Sequence, residues 1–200
     1  MLINKGVSIK QYEAKFYRDT SHAYEVKKLC LMLFDEIHEK LDDLPLKSRK
    51  LLEAAALLHD IGYNIDSKNH NKHSFSLIIE NGIENFDERQ LQIIALVARY
   101  HRGSLPNKSR HAEYAELSKK DRKIVKKLSA ILRICDGLDR AHMQLIKELT
   151  TNFDIHNKIF QITLTSNIPQ RIPDITSAIK KKDLFEKIFD VQVVFKFTQT

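Results

Sequence analysis

Histidine and aspartate side chains at helix ends are the residues of this sequence whose types and spacing could do chemistry. His59 and Asp60 lie side by side at the end of an apolar run, residues 54–58, which predicts a buried helix. On such a helix His59 shares a face with Ala55 and Leu52, so its ring should point inward. A buried carboxylate is costly unless it is paired or coordinates a metal ion. The pair alone does not establish a metal site, since a single histidine near a helix end is more often a core or cap residue.

Other polar side chains in the chain share this inward orientation. His22 opens a helical pattern, and Asp136 lies on the border of the apolar stripe of another. His70 and His73 are three residues apart, which places them on one face of a helical turn, and His101 ends a further helical pattern. This mixture of nitrogen and carboxylate ligands suits a divalent ion such as Mn, Fe, Co, Ni, Zn or Mg, whereas a structural zinc site would favour cysteine.

The elements that must position these side chains are predicted to be helices, so the fold class is mainly α with a small C-terminal α+β unit. Helical patterns fill residues 1–150, which we predict to form a helical metal-binding domain. Residues 151–200 are predicted to form a β-β-α-β unit. Alternating apolar residues predict strands over 153–164 and 191–197. An amphipathic pattern over 175–189 predicts the single helix between them.

Several element ends can also be predicted. Gly62 is interpreted as the residue just past the helix that carries His59, and Gly82 as the end of the helix that begins near His70. Residues 104–117 are predicted to be a surface loop. Ser118 and Asp121 are spaced like a capping box at the start of the next helix.

Composition limits the class of protein. The chain has 200 residues, of which 42% are hydrophobic and 30% charged, enough for one domain with a core and a small appendage. It has no apolar run of about 18 residues, and Met1–Lys5 lacks the apolar stretch of a signal peptide. We therefore expect a cytoplasmic protein without a membrane partner. Cys30 and Cys135 lie in apolar helical patterns, which predicts buried thiols.

The net charge of +7 and the pI near 9.3 favour anionic partners. Nucleic acid, polyphosphate, nucleotides and simple counterions all remain open, with nucleic acid the less favoured partner. The basic residues are scattered in doublets and triplets, such as Lys180-Lys181-Lys182, so a solvated surface is the favoured interpretation.

Five sequence blocks resemble the HD-domain metal-dependent phosphohydrolases, whose signature is H…HD…D. The resemblance is closer to the HD domain at the C-terminus of the exopolyphosphatase/guanosine pentaphosphate phosphatase (Ppx/GppA) family, and it implies an HD-type helical bundle. The blocks are residues 22–26, 52–62, 70–74, 98–102 and 132–140.

The resemblance implies one or two divalent metal ions and assigns them ligands. The four signature ligands are His22, His59, Asp60 and Asp136. His70, His73 and His101 stand where HD enzymes with two metal ions place further ligands or groups that contact phosphate.

The chemistry implied is attack on phosphorus by a water molecule whose pKa the metal ion lowers. Asp60, as a bridge between two ions, and His101, as an acid or base, are the catalytic candidates. Lys72, Arg102 and Arg140 are candidates for binding substrate phosphate, with a surface cation or salt bridge as the alternative for each. The remaining histidines are predicted to take no part: His38, His111, His142 and His156.

One departure from the family matters. Its full-length members carry an actin-like pair of domains that holds their exopolyphosphatase site, and only 21 residues precede His22 here. The sequence therefore predicts a metal-dependent phosphohydrolase acting on a small phosphate ester, a nucleotide or a polyphosphate-type substrate. The alternative is a non-catalytic regulatory module that binds polyphosphate, nucleotide or nucleic acid. A homodimer, formed through the C-terminal unit, remains open.

Overall fold

The computed structural model describes residues 6–168 and 171–198, so the prediction made for Met1–Lys5 lies outside the described residues. Its helices are α1 (Ile9–Phe16), α2 (Ser21–Lys40), α3 (Arg49–Leu58), α4 (His70–Asn81), α5 (Glu88–Arg99), α6 (Ala112–Glu116), α7 (Lys119–Leu138), α8 (Thr176–Lys181) and α9 (Asp183–Phe189). Its strands are β1 (Ile146–Asp154), β2 (Ile159–Ser166) and β3 (Gln192–Thr198). A mainly helical fold with a small C-terminal sheet is confirmed.

The core lies where α2, α3, α5 and α7 pack against one another. Each helix contributes fully buried side chains at helical spacing, among them Leu29, Leu52, Val97 and Leu128. Burial of these apolar faces is the main source of helix stability, because isolated helices of this length are marginal in water. Cys30 and Cys135 are buried in this core, as predicted, and burial raises the pKa of Cys30 well above its usual value.

The sheet has the order β1-β2-β3, with an antiparallel β1–β2 pair and a parallel β2–β3 pair. A parallel pair needs a crossover connection, which α8 and α9 supply. Where one helix over 175–189 was predicted, the structure has two, with a break at Lys182. On either side of this break, α8 packs on α7, and α9 contacts both α7 and β3.

The sheet and the bundle are joined by shared apolar packing. Strand β1 begins at Ile146 and packs on α2, so it starts before position 150, where we placed the end of the helical part. The division into 1–150 and 151–200 itself stays a prediction. The described residues contain no helix with the length and apolarity needed to cross a membrane.

The end of α3 differs from the prediction. The helix stops at Leu58, four residues before Gly62. A Cβ on Gly62 would lie 2.6 Å from the backbone nitrogen of Ser74, so glycine is needed here for close approach of the loop to α4. The Gly62 N–H donates to Ser74 Oγ at 3.0 Å, which holds the loop after His59 in place.

Two further local predictions are corrected in part. Residues 112–116 of the predicted loop form α6, because Tyr114 is buried and its hydroxyl donates to the Arg122 carbonyl on α7 at 3.3 Å. Ser118 Oγ accepts the Asp121 N–H as expected at the start of α7. The Asp121 carboxylate, however, binds the Arg89 guanidinium and the Ser118 hydroxyl, so only half of a capping box forms.

Candidate metal centre

Side chains from five segments meet between α2, α4, α5 and α7. The histidines lie at or just beyond helix ends, where side chains can reach past the last turn, and Asp136 lies on the inner face of α7 near its end. The residues brought together are His22, His59, Asp60, His70, His101 and Asp136. Apart from Asp60, which is partly exposed, all of them are buried.

Two overlapping groups of potential ligand atoms share His59. In the first group, Asp136 Oδ1 lies 3.4 Å from His22 Nε2 and 3.9 Å from His59 Nε2. In the second, Asp60 Oδ1 lies 3.5 Å from both His59 Nε2 and His101 Nε2. Two atoms bound to one ion at about 2.1 Å lie about 3–3.5 Å apart, so most of these spacings already match the edges of a coordination sphere.

His70 extends the second group. Its Nε2 lies 3.0 Å from Asp60 Oδ1 and 3.1 Å from His101 Nε2. Tyr63 packs beside this ring with the centroids 5.4 Å apart. Asp60 Oδ1 is therefore surrounded by three imidazole nitrogens.

Backbone carbonyls orient three of the rings in the same way. The Nδ1 atoms of His59, His70 and His101 each lie 2.7–2.8 Å from the carbonyl oxygen three residues earlier. With Nδ1–H donated to a carbonyl, the lone pair of Nε2 faces the centre. The His22 ring is held by a carboxylate instead, since its Nδ1 lies 2.9 Å from Asp139 Oδ2. This is the arrangement found around histidines that bind metal ions.

Three buried atoms of the centre have no hydrogen-bond partner among the described residues. They are His22 Nε2, His59 Nε2 and Asp60 Oδ1. Leaving such atoms unpaired is costly, and nearly all buried polar groups in proteins are satisfied. A cation between them would satisfy all three, so the residues present fit a divalent metal ion.

Electrostatics also prepare the centre for a cation. Burial opposes ionisation of Asp60 and Asp136, but the neighbouring histidines, together with Lys181 in the case of Asp136, hold both pKa values well below the usual range. Burial, together with the neighbouring His59, lowers the pKa of His101 to about 3. Burial also disfavours the charged form of His22, but the neighbouring Asp136 and Asp139 carboxylates outweigh it and raise its pKa to about 9. At neutral pH both carboxylates are ionised and His101 is neutral.

The other predicted site residues are placed differently. His73 is half-buried, lies beside Gly62 and belongs to neither group, although it is three residues from His70. Arg102 lies against the His70 ring, with Nη1 3.2 Å from Nδ1. Lys72 and Arg140 are exposed, and the structure records no contact between them and the centre.

Sequence reasoning missed three residues around the centre. His142 was predicted to take no part, but its ring stacks on His22 with the centroids 3.9 Å apart. Asp139 and Lys181 bind His22 and Asp136, respectively. The spacing of Asp139, three residues after Asp136, was an available signal. His142 lies in a loop and Lys181 in a lysine triplet, where no periodicity marks them. His38, His111 and His156 lie outside both groups.

Comparison with known proteins shows that the chain is similar to one domain of a phosphatase family. A family model described as Ppx/GppA phosphatase, domain III, matches residues 5–183. A guanosine-5'-triphosphate,3'-diphosphate pyrophosphatase of Pseudoalteromonas translucida is 32% identical over 91 residues, which cover 46% of this chain and 18% of that protein. The protein of the same name from Pseudoalteromonas atlantica is 26% identical over 127 residues, covering 64% of this chain and 24% of that protein. The alignments thus span about a quarter or less of these curated relatives.

Proposed function

Since the chain belongs to the Ppx/GppA phosphatase domain III family, we propose that it is a metal-dependent phosphohydrolase of the HD type. Its substrate would be a phosphate ester, a nucleotide or a polyphosphate-type compound. The observation that carries the proposal is the convergence of three unpartnered buried atoms, His22 Nε2, His59 Nε2 and Asp60 Oδ1. The pyrophosphatase names of the relatives agree with cleavage of phosphoanhydride bonds.

Each residue of the centre has a defined task in this proposal. His22, His59 and Asp136 would hold one ion. The single free lone pair on His59 Nε2 can bind only one ion, so a second ion would be held by Asp60, His70 and His101. A divalent ion at such a site lowers the pKa of water and neutralises charge on phosphoryl oxygens.

Substrate phosphate would be held at the rim. Arg102 lies beside His70, where its guanidinium can donate two hydrogen bonds to phosphate oxygens. Arg140 and Lys72 are exposed and remain candidates for contacts further from the centre. The His70 ring thus contacts Arg102 and, through Nε2, the side chains of Asp60 and His101.

Metal content and phosphate release test the proposal together. The purified protein is loaded with a divalent metal, washed, measured by elemental analysis and assayed against phosphomonoesters, phosphodiesters, nucleotides and polyphosphate. We expect retained metal and phosphate release in the wild type, and loss of both in Asp60→Asn. Asp43→Asn is a matched control because Asp43 is fully exposed. Equal activity in both variants, or a wild type that retains no metal, would refute the proposal.

A basic pocket supports the second candidate function, a non-catalytic module that binds polyanions. The pocket, of about 270 Å³, lies between the loop before α6 and the first turns of α7. Its cationic lining residues are Lys108, Lys119, Arg122, Lys123 and Lys126. None of the four lysines forms an ion pair with a carboxylate within the described ranges, 6–168 and 171–198, so their charge is free for an anionic partner.

This second function predicts salt-sensitive binding without turnover. Fluorescent polyphosphate, nucleotide and single-stranded DNA are titrated at low and high salt. The double variant Lys119→Glu/Lys123→Glu should lose binding, whereas Lys47→Glu/Lys68→Glu, which changes the net charge equally at exposed positions elsewhere, should not. An affinity that does not change with salt would exclude this function.

A further inference from the structure

We propose that Lys181 is a positioning residue for the candidate metal ligand Asp136. The proposal rests on the proposed metal-dependent function, because it concerns the same centre. It assigns a role to the C-terminal unit, whose helix α8 carries Lys181, and to one member of a lysine triplet for which the sequence favoured a solvated surface.

The two oxygens of the Asp136 carboxylate have different partners. Oδ1 faces His22 Nε2 and His59 Nε2, at 3.4 and 3.9 Å. Oδ2 accepts a charge-assisted hydrogen bond from the Lys181 ammonium. Because the carboxylate rotates about a single bond, a donor that holds Oδ2 also fixes where Oδ1 points. Lys181 therefore aims Oδ1 at the histidine pair.

The packing of α8 on α7 delivers Lys181 to this position. A Cβ on Gly137, the residue after Asp136, would lie 2.6 Å from both the nitrogen and the Cα of Ala178. The two backbones thus touch beside the ligand, which only glycine permits. Ala178 is fully buried, and Lys181 lies three residues further along the same face of α8.

A second contact joins α7 to the helix that follows α8. The Arg133 guanidinium, buried on α7, lies 3.6 Å from the Asp183 carboxylate at the start of α9, and its Nη1 donates to the Tyr100 carbonyl at 3.3 Å. Tyr100 precedes His101, so this side chain links the second ligand group to the helix that follows Lys181. Lys180, by contrast, is exposed and has no ion pair among the residues the structure describes.

Two physical effects of Lys181 on cation binding oppose each other. Its positive charge repels a cation, so its removal would strengthen binding if charge dominated. Its hydrogen bond orients Asp136, so its removal would weaken binding if orientation dominated. We infer that orientation dominates, because Asp136 is buried and Lys181 is the only hydrogen-bond partner of its Oδ2 among the described residues. Without Lys181 the carboxylate would be free to turn away from the histidines.

The test measures Mn²⁺ binding to metal-free protein by calorimetric titration. Lys181→Met removes the ammonium at similar length, and Lys180→Met is the matched control. We expect affinity in Lys181→Met to fall about 10–100-fold, the usual effect of losing an outer-shell partner. Lys180→Met should match the wild type, and Lys181→Arg, which keeps a charged donor, should recover most of the loss.

Thermal unfolding of each variant separates this effect from misfolding. If Lys181→Met does not fold, Lys181→Ala, which also removes the donor, is compared with Lys180→Ala and should bind Mn²⁺ more weakly. Equal affinity in either matched pair, or tighter binding in the Lys181 variant, overturns the inference while leaving the proposed function standing. A wild type that does not bind Mn²⁺ overturns both.

Discussion

We predict that a proton and a metal ion compete for the Nε2 atom of His22. His22 is buried, and the neighbouring Asp136 and Asp139 carboxylates outweigh burial and raise its pKa to about 9 in the protein without metal. A histidine binds a metal ion in its neutral form, so a cation that binds His22 Nε2 has to displace the proton. Metal binding should therefore release a proton from this residue over the pH range in which His22 is charged.

The magnitude follows from the distance between the working pH and this pKa. At pH 7, about two units below the pKa, nearly every His22 is protonated, so binding should release about one proton. The affinity should rise about tenfold for each pH unit up to about pH 9, which is about 1.4 kcal/mol per unit. Asp139→Asn keeps an acceptor for Nδ1 but removes the negative charge, so it should lower the pKa of His22 and reduce proton release at pH 8.

The assay is calorimetric titration of Mn²⁺ at several pH values, repeated in buffers of different ionisation enthalpy so that released protons are counted. Asp43→Asn, at a fully exposed position, is the control for charge removal. An Mn²⁺ affinity that is constant between pH 7 and 8.5, without proton release, would show that His22 does not bind the ion or is already neutral.

The same pKa shift affects the stability of the metal-free protein. Because the pKa of His22 is higher in the folded than in the unfolded protein, its contribution to stability is complete below about pH 6.5 and is lost as the pH rises to about 9. The melting temperature should therefore fall across that range, and a flat profile in Asp139→Asn would confirm that His22 is the source. Gly137→Ala should lower the free energy of unfolding by roughly 1–3 kcal/mol, because the alanine Cβ would overlap the Ala178 backbone. A urea titration measures this loss against the exposed control Lys123→Ala, and an unchanged unfolding midpoint would contradict the close approach. Leu128→Ala, at a fully buried position of α7, should cost about 2–5 kcal/mol in the same titration, and a loss below 1 kcal/mol would mean that the bundle core is not packed as described. Saturating Mn²⁺ should raise the melting temperature of the wild type but not of Asp60→Asn, whereas an equal rise in both would place the binding elsewhere.

Helical periodicity alone determined much of the centre. It placed His22 and His59 on inward faces and Asp136 on the border of an apolar stripe, because the angular position of a side chain about its own helix depends only on local spacing. The same local chemistry predicted the end of α4 before Gly82 and the alternation that forms the strands. These features need no knowledge of the neighbouring elements.

Contacts between elements decided the rest. His70 and His73 are three residues apart and were predicted to share one face of a helical turn, yet of the two only His70 reaches Asp60. The close approach of Gly62 to α4, beside His73, decides which of the two side chains faces the centre. Lys181 belongs to a triplet that looks solvated along the chain, and it becomes a partner of Asp136 only where α8 rests on α7. Periodicity determines the direction of a side chain about one helix axis, whereas only packing determines what that side chain meets.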